Sequence, residues 1–377
     1  MLESHTSMVS RGRLLFLDAL RGLAACYVVV YHMLLLPEPD LKAPRWAASV
    51  ALSGGMGVTL FFMVSAFSLC YTMPLRLKES RPTLAFYWHR FFRIAPLFYV
   101  LIAATLIRDF FIFHATHPVT EIASSVLLIF NLVPGGAVGF VWAGWTIGVE
   151  VVFYALFPLI YGRTRSLEHS IALLFACLLA WQTISAVMGY LPIPEPWKNT
   201  YLTWSAFRHF PIFASGVVLY HLFARWTAMD DARRVRLGDM FVWAGMFGFW
   251  DLVTVGHGYY WQSVVFGALF IGLGLSPWRI FVNRLTAYLG KISYSIYLNH
   301  PTIVWLLAPA YRKLYQATPY VSFGFLASLA LTFVVVLALS TLTYRFIEAP
   351  GIALGRRLAD RVSTRRAIGP SLPAVGR

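Results

Sequence analysis

The stretch "DALRGLAACYVVVYH", residues 18 to 32, is apolar enough to enter a membrane yet carries an aspartate, an arginine and a histidine. Arg21 and His32 are eleven positions apart. At about 100° per residue, eleven steps return to within about 20° of the same helix face, about 16 Å further along the axis. The two therefore share one stripe. Asp18, three residues before Arg21, is placed for an i,i+3 ion pair that lowers the cost of both charges. Charge near the bilayer centre is expensive, which makes such a stripe a functional candidate, with imidazole suited to proton transfer. The competing reading is that Arg21 snorkels to the head groups and His32 bonds a neighbouring helix.

Other stretches interrupt apolar runs in the same way. In "GWTIGVEVVFYALFP", residues 144 to 158, Glu150 lies about mid-span. A carboxylate there must be protonated, paired or facing water. Its expected partner is His32 or an arginine from another span, and a protonated glutamate serving helix association stays open. Trp145 and Tyr154, five before and four after Glu150, are placed to border one cavity with their polar tips. "HRFFRIAPLFY" sets Arg90 and Arg93 three apart at the mouth of a span. Two guanidinium groups on one face suit phosphate, although arginines ahead of a span also serve simply as topology determinants. In "GKISYSIYLNHP", residues 290 to 301, Tyr297 and Asn299 are expected interhelical hydrogen-bond partners, and His300 reads as interfacial, without a catalytic role. H-E-x-x-H, G-x-S-x-G, Walker and G-x-G-x-x-G patterns are missing, so no metal, serine-elbow or nucleotide chemistry is expected.

These residues need a membrane scaffold to hold them. Of 377 residues, 59% are hydrophobic and 12% charged, and the mean hydropathy is +0.66. That is far from the composition of a soluble domain. The net charge of +15 sits in short stretches between apolar runs, which reads as membrane topology and not as a nucleic-acid surface. Cys26, Cys70 and Cys177 fall inside apolar runs and read as packing thiols. The N-terminal run lacks a small-residue cleavage site, which predicts a retained first span.

A span of about 20 residues fits near 14–36, 50–72, 94–115, 139–161, 169–190, 206–223, 240–256, 259–275, 288–308 and 322–345. The fold expected is therefore an all-α integral membrane protein of about ten transmembrane helices. The apolar stretch at 121–133 is too short to cross comfortably and is expected to be re-entrant or interfacial. Without it as a span, Arg76, Lys78, Arg81, Arg90 and Arg93 share one side with the other basic clusters, and both termini are cytoplasmic. Residues 1–350 read as one membrane domain and 351–377 as a basic, mobile cytoplasmic tail.

The order of these features resembles the acyltransferase 3 family of membrane proteins that O-acylate sugars and polysaccharides. Arg21 and His32 match its R-x10-H spacing, "GGMGVTLFFMVSAFSL" its G-V-x-L-F-F-x-x-S-G-F stretch, and Arg90 with Arg93 its R-x-x-R. "WTIGVEVVFY" matches W-S-L-x-x-E-x-x-F-Y, "ISYSIYLNH" matches S-Y-x-x-Y-L-x-H, and "YRFIEAP" matches R-x-x-E-x-P. Ala66 after Ser65, Thr146 with Ile147, and Asn299 depart from the pattern.

The resemblance implies a bacterial inner-membrane enzyme with no permanently bound cofactor. It would use cytoplasmic acyl-CoA, commonly acetyl-CoA, as co-substrate and a saccharide or polysaccharide of the cell envelope as acceptor. In that reading His32 is the general base and Glu150 orients it, while Asp18, Arg21, Arg90, Arg93, Ser65, Trp145, Tyr154, Tyr297 and Asn299 contact substrates. Some relatives carry a fused periplasmic hydrolase-like domain. This chain is expected to act alone or to pass its acyl group to a separate periplasmic partner. The rival from another class is a proton-coupled transporter or flippase of a saccharide precursor, which would also keep a histidine and a carboxylate inside the membrane.

Overall fold

The computed structural model describes residues 9–10, 13–133 and 135–364. Apart from a two-residue antiparallel strand pair, Val9–Ser10 with Arg13–Leu14, its regular structure is helical. The helices are α1 (Leu15–Leu35), α2 (Arg45–Leu52), α3 (Gly57–Arg76), α4 (Pro82–Phe111), α5 (Val119–Val126), α6 (Trp145–Arg163) and α7 (Leu167–Met188). They continue with α8 (Glu195–Trp204), α9 (Ala206–Trp226), α10 (Asp231–Thr254), α11 (Trp261–Leu275) and α12 (Arg284–Lys291). The last three are α13 (Ser293–Gln316), α14 (Val321–Thr343) and α15 (Ala349–Thr364).

Among the described residues, 6 helical stretches are long and apolar enough to cross a bilayer: α1, α2 with α3, α4, α6, α7, and α14 with α15. Helices α9, α10 and α13 are comparably long but carry more polar residues, and α11 is a shorter apolar helix. The stretch at 121–133 forms the end of α5 and a single tight turn at Phe130–Leu132. The eight residues of α5 rise about 12 Å, far short of the roughly 30 Å needed to span.

Helix α1 lies at the centre, against α3, α12 and α13. Small residues permit this. A Cβ on Gly22 would stand 2.5 Å from the Thr286 carbonyl oxygen, and one on Gly290 would collide with the Asp18 carbonyl. Backbone therefore meets backbone where α12 crosses the Asp18–Arg21 turn, which fixes that turn in place. Stacked rings fill the interior between α3, α6 and α9: Phe213 lies 4.6 Å from Phe62 and 4.1 Å from Phe153, centroid to centroid. Phe16, Phe67 and Phe270 close the core nearby. By contrast, Phe175 and Leu179 on α7, and Phe247 and Trp250 on α10, are largely exposed. Apolar faces without protein cover are the faces a lipid chain would meet.

Cys70 is buried, Cys26 and Cys177 are half-buried, and all three are free thiols on helices, as packing residues should be. The tail expected from residue 351 onward differs. Residues through Thr364 form α15, which packs along α4 with Ala359 buried. Pro350 is the second residue of α15, directly after the π-helical turn Tyr344–Glu348 that joins it to α14, so the Pro-Gly pair does not break the chain as its composition suggests. Residues 365–377 lie outside the described residues.

Candidate active site

Seven residues of α3, from Val58 through Phe61, Phe62, Ser65, Ser68 and Thr72 to Arg76, line one cavity of about 320 Å³. Eighteen residue steps along a helix make about 27 Å, close to the thickness of a bilayer core. The cavity thus follows nearly the whole length of α3, and its two ends differ in chemistry.

One end is basic. Arg21 of α1, Arg76 of α3, His89, Arg90 and Arg93 of α4, and Arg356 of α15 all line it, with Glu150 as the carboxylate among the lining residues. A side opening adds Asp18 and Lys291 beside Arg21 and Arg93. The first five arginine positions come from four helices, so the cluster is a product of packing, which no local motif could display. Some of these charges are committed. Arg93 forms an ion pair with the buried Glu348, whose other oxygen accepts a 2.7 Å hydrogen bond from Ser295. Glu348 closes a π-helical turn, Tyr344–Glu348, at the junction of α14 and α15. A π turn rotates the residues beyond it, and here it brings a carboxylate round to face α4. Arg21 donates to the Ser68 hydroxyl at 3.3 Å and lies within electrostatic range of Asp18. Other groups are left over: Nε of Arg76 and Nε of Arg90 are buried without a hydrogen-bond partner among the described residues.

Glu150 sits among these arginines. Arg21 and Arg90 are its charged neighbours, and Ser65 and Tyr154, whose hydroxyls are 2.9 Å apart, flank it. The guanidinium of Arg90 also stands over the Tyr154 ring, 5.7 Å from its centroid. Of the two partners expected for Glu150, the arginines are the ones present. Among the described residues no carboxylate is found bonded to His32, because α6 turns Glu150 toward the basic end while His32 lies about 16 Å along α1 from Arg21.

His32 instead meets a second histidine. Its Nδ1 is 3.0 Å from Nε2 of His300 on α13 and 3.1 Å from the Val28 carbonyl oxygen. His300 is wholly buried and its Nδ1 is 2.6 Å from the Tyr297 carbonyl oxygen. His32 is half-buried and is not among the residues that line the cavity; Tyr297 lines it, and its ring centroid is 5.6 Å from that of His300. Phe61, which also lines the cavity, packs on Tyr297 at 5.5 Å.

The structure therefore brings Arg21, Ser65, Arg90, Arg93, Glu150, Tyr154 and Tyr297 to one cavity, with Asp18 at its side opening. Two expected contacts fall elsewhere. Trp145 packs against Trp204 and His209 instead of bordering the cavity, because it begins α6 beyond the basic end. Asn299 donates a 2.8 Å hydrogen bond to Thr343 and so ties α13 to α14; its place next to His300 in sequence puts it on another face. Sequence reasoning missed Ser68, Thr72, His89, Tyr294 and Arg356 as lining residues, and His300 as the partner of His32. The signal for His300 was available in its position before a proline inside an apolar run.

Beyond the histidine pair the same two helices shape a second cavity, about 780 Å³, lined by Leu36, Glu38, Phe113, Trp142, Trp305 and Arg312 among others. Trp142 and Trp305 stand edge to face at 6.0 Å, and Arg108 covers Trp142 at 3.8 Å. This aromatic cleft and the arginine cluster lie at opposite ends of α1.

The multi-pass membrane protein thus holds a basic cavity at one end, an aromatic cleft at the other and a half-buried imidazole between them. The model of the acyltransferase 3 family, described as an acyltransferase domain, matches residues 14–345, and the chain belongs to that family. It is also 24% identical over 290 residues to a protein of Acidianus two-tailed virus that carries the provisional name acetyltransferase; the match covers 74% of this chain and 80% of the viral one. No solved structure matches the chain.

Proposed function

We propose that this acyltransferase moves an acetyl group from acetyl-CoA in the cytoplasm to a hydroxyl of a saccharide on the far side of a bacterial inner membrane. The observation that carries this reading is the cavity along α3, basic at one end and closed by Tyr297 beside the histidine pair at the other. Buried guanidinium groups without partners are costly unless an anion completes them. Arg76 and Arg90 each bury an Nε without a hydrogen-bond partner among the described residues, and the phosphates of CoA supply the acceptors that this end lacks. The positive-inside pattern puts this end in the cytoplasm, where acyl-CoA is found, with both termini on the same side. Glu150, between Arg21 and Arg90, keeps the arginines spread when no donor is bound.

The pantetheine arm then follows α3 toward Tyr297, whose displacement opens the way to His32. The acceptor occupies the aromatic cleft, where Trp305 and Trp142 offer faces for the C–H edges of a sugar ring and Glu38 accepts hydrogen bonds from its hydroxyls. Nε2 of His32 takes the proton of the attacking hydroxyl. The new C–O bond forms at the thioester carbonyl, the C–S bond breaks, and the imidazolium returns the proton to the departing thiolate. General base catalysis of this kind contributes about 100- to 10,000-fold.

His32→Ala should abolish O-acetylation of envelope glycans in cells lacking the native gene, with the variant still inserted in the membrane at normal abundance. Mass analysis of those glycans reads the acetyl increment directly. Undiminished acetyl content in the variant would remove His32 from the chemistry. A glycan that is translocated but never acetylated by the wild type would favour a transporter instead.

A further inference from the structure

Pro301 follows His300 within α13. A proline inside a helix withholds the N–H that would bond the carbonyl four residues earlier. Here that carbonyl belongs to Tyr297, and the His300 ring takes over the missing donor, with Nδ1 2.6 Å from the oxygen. A carbonyl oxygen can only accept, so the hydrogen of His300 resides on Nδ1, and in the neutral ring Nε2 is left as an acceptor. That acceptor faces Nδ1 of His32 at 3.0 Å, which obliges His32 to donate from Nδ1. A separate contact makes the same demand, since Nδ1 of His32 is 3.1 Å from the Val28 carbonyl oxygen, another pure acceptor. Two independent acceptors thus place the His32 hydrogen on Nδ1 and its lone pair on Nε2.

We infer that Pro301 and His300 form a tautomer lock that presents Nε2 of His32 as the proton-accepting atom of the transfer. The function of this lock rests on the base role proposed for His32. His300 touches neither substrate and is a positioning residue. It does for His32 what a carboxylate does in a hydrolase triad, orienting the ring and steadying the imidazolium that forms, but with a neutral lone pair in place of a charge. A neutral partner suits this place: among the described residues the further ring contacts of the pair are Tyr31, 5.0 Å from His32, and Tyr297, 5.6 Å from His300. An ionised acid there would carry a heavy desolvation cost.

The test uses the full chain in lipid bilayers, labelled with ¹⁵N-histidine, together with glycan acetyl content in cells that carry each variant. In the wild type, solid-state NMR should find Nδ1 of His32 protonated and Nε2 bare, with the His32 signal assigned by its loss in His32→Gln. His300→Leu should mix the two tautomers and lower acetylation about 10- to 100-fold, short of the roughly 10,000-fold loss when a triad carboxylate is replaced. His300→Gln, whose side-chain oxygen can accept from Nδ1, should recover acetylation to within a few-fold of wild type. Pro301→Ala, which returns the N–H to the Tyr297 carbonyl and frees the His300 ring, should fall between them. The inference is overturned by a wild-type His32 protonated on Nε2, or by wild-type acetylation in His300→Leu. Normal acetylation in His32→Ala together with the expected tautomer would instead defeat the base reading and leave the lock standing.

Discussion

The two ends of α1 hold polar groups inside the same protein by opposite means. At the Arg21 end charge is gathered: five arginines from four helices face one cavity, and buried guanidinium nitrogens remain without partners. At the histidine pair itself, on the tautomers inferred above, two neutral rings and two backbone carbonyls satisfy one another. An excess of unmatched positive charge is a preparation for an anion that arrives later. A closed chain of neutral donors and acceptors is a preparation for moving one proton without reorganising its surroundings. On the function proposed above, the contrast divides the molecule into a binding end and a chemical end about 16 Å apart along α1.

The most damaging way to disturb the charged end is to remove the carboxylate that holds Arg93. Glu348→Ala leaves a guanidinium unpaired against Tyr294. Breaking a buried ion pair costs about 3–5 kcal/mol, and because the Arg93 side chain keeps 27% exposure the lower value, about 3 kcal/mol, is expected. Asn299→Ala, which removes the neutral hydrogen bond to Thr343, should cost about 1 kcal/mol. Thermal unfolding in detergent measures both. Equal losses would erase the distinction between the two ends as far as stability goes.

Next in size is the effect on the donor. Arg90→Ala should weaken binding of acetyl-CoA to the purified protein about 10- to 100-fold, the worth of one or two charge-assisted hydrogen bonds to phosphate. Arg312→Ala, which alters an equally basic residue at the aromatic cleft, should leave that affinity within a factor of two. Calorimetric titration with acetyl-CoA separates the cases. An unchanged Kd in Arg90→Ala would reduce Arg90 to a signal for topology.

Much of this division is legible in the chain itself. The eleven-residue spacing of Arg21 and His32 places them on one stripe of one helix, and α1 carries both without interruption. Each expected span overlaps a helix, though among the described residues six helical stretches are long and apolar enough to cross and 288–308 straddles two helices, while 121–133 breaks up as its length requires. What periodicity cannot supply is the rotation of one helix against another. Glu150 had two chemically sensible partners, and only the packing of α6 against α3 and α4 decides for the arginines. Trp145 and Asn299 are lost to the site for the same reason. His300 was misread although a span over 288–308 already puts it near mid-span; the break at Ile292 starts α13 at Ser293 and carries it to Gln316, with His300 wholly buried within it. The arginine of α15 was invisible because Pro350 and Gly351 look like the end of structure, and the helix that follows is held by contacts with α4 that no local propensity encodes.

The smallest effect lies outside the spans, in the link from α4 to α5, and it asks whether neutrality at the His32 end extends to every histidine nearby. It does not extend to His117. Burial alone would lower the pKa of this imidazole, but hydrogen bonds to Asp109 and Glu121, each 2.9 Å, outweigh it and raise the pKa above the ordinary value. A histidine whose folded pKa exceeds its unfolded one contributes its full stabilisation below the unfolded pKa, about 6.5, and loses it as pH rises through the folded value. Amide exchange of residues 112–126 should therefore quicken, beyond its intrinsic pH dependence, as pH climbs from about 6.5 through that raised value. His117→Gln should remove the excess and exchange fast at every pH. Because two carboxylates clasp this ring and none is found beside His32, the same pH change should leave protection around His32 and His300 flat; a parallel loss there would mean that the histidine pair carries a proton at rest and that the chemical end is not neutral.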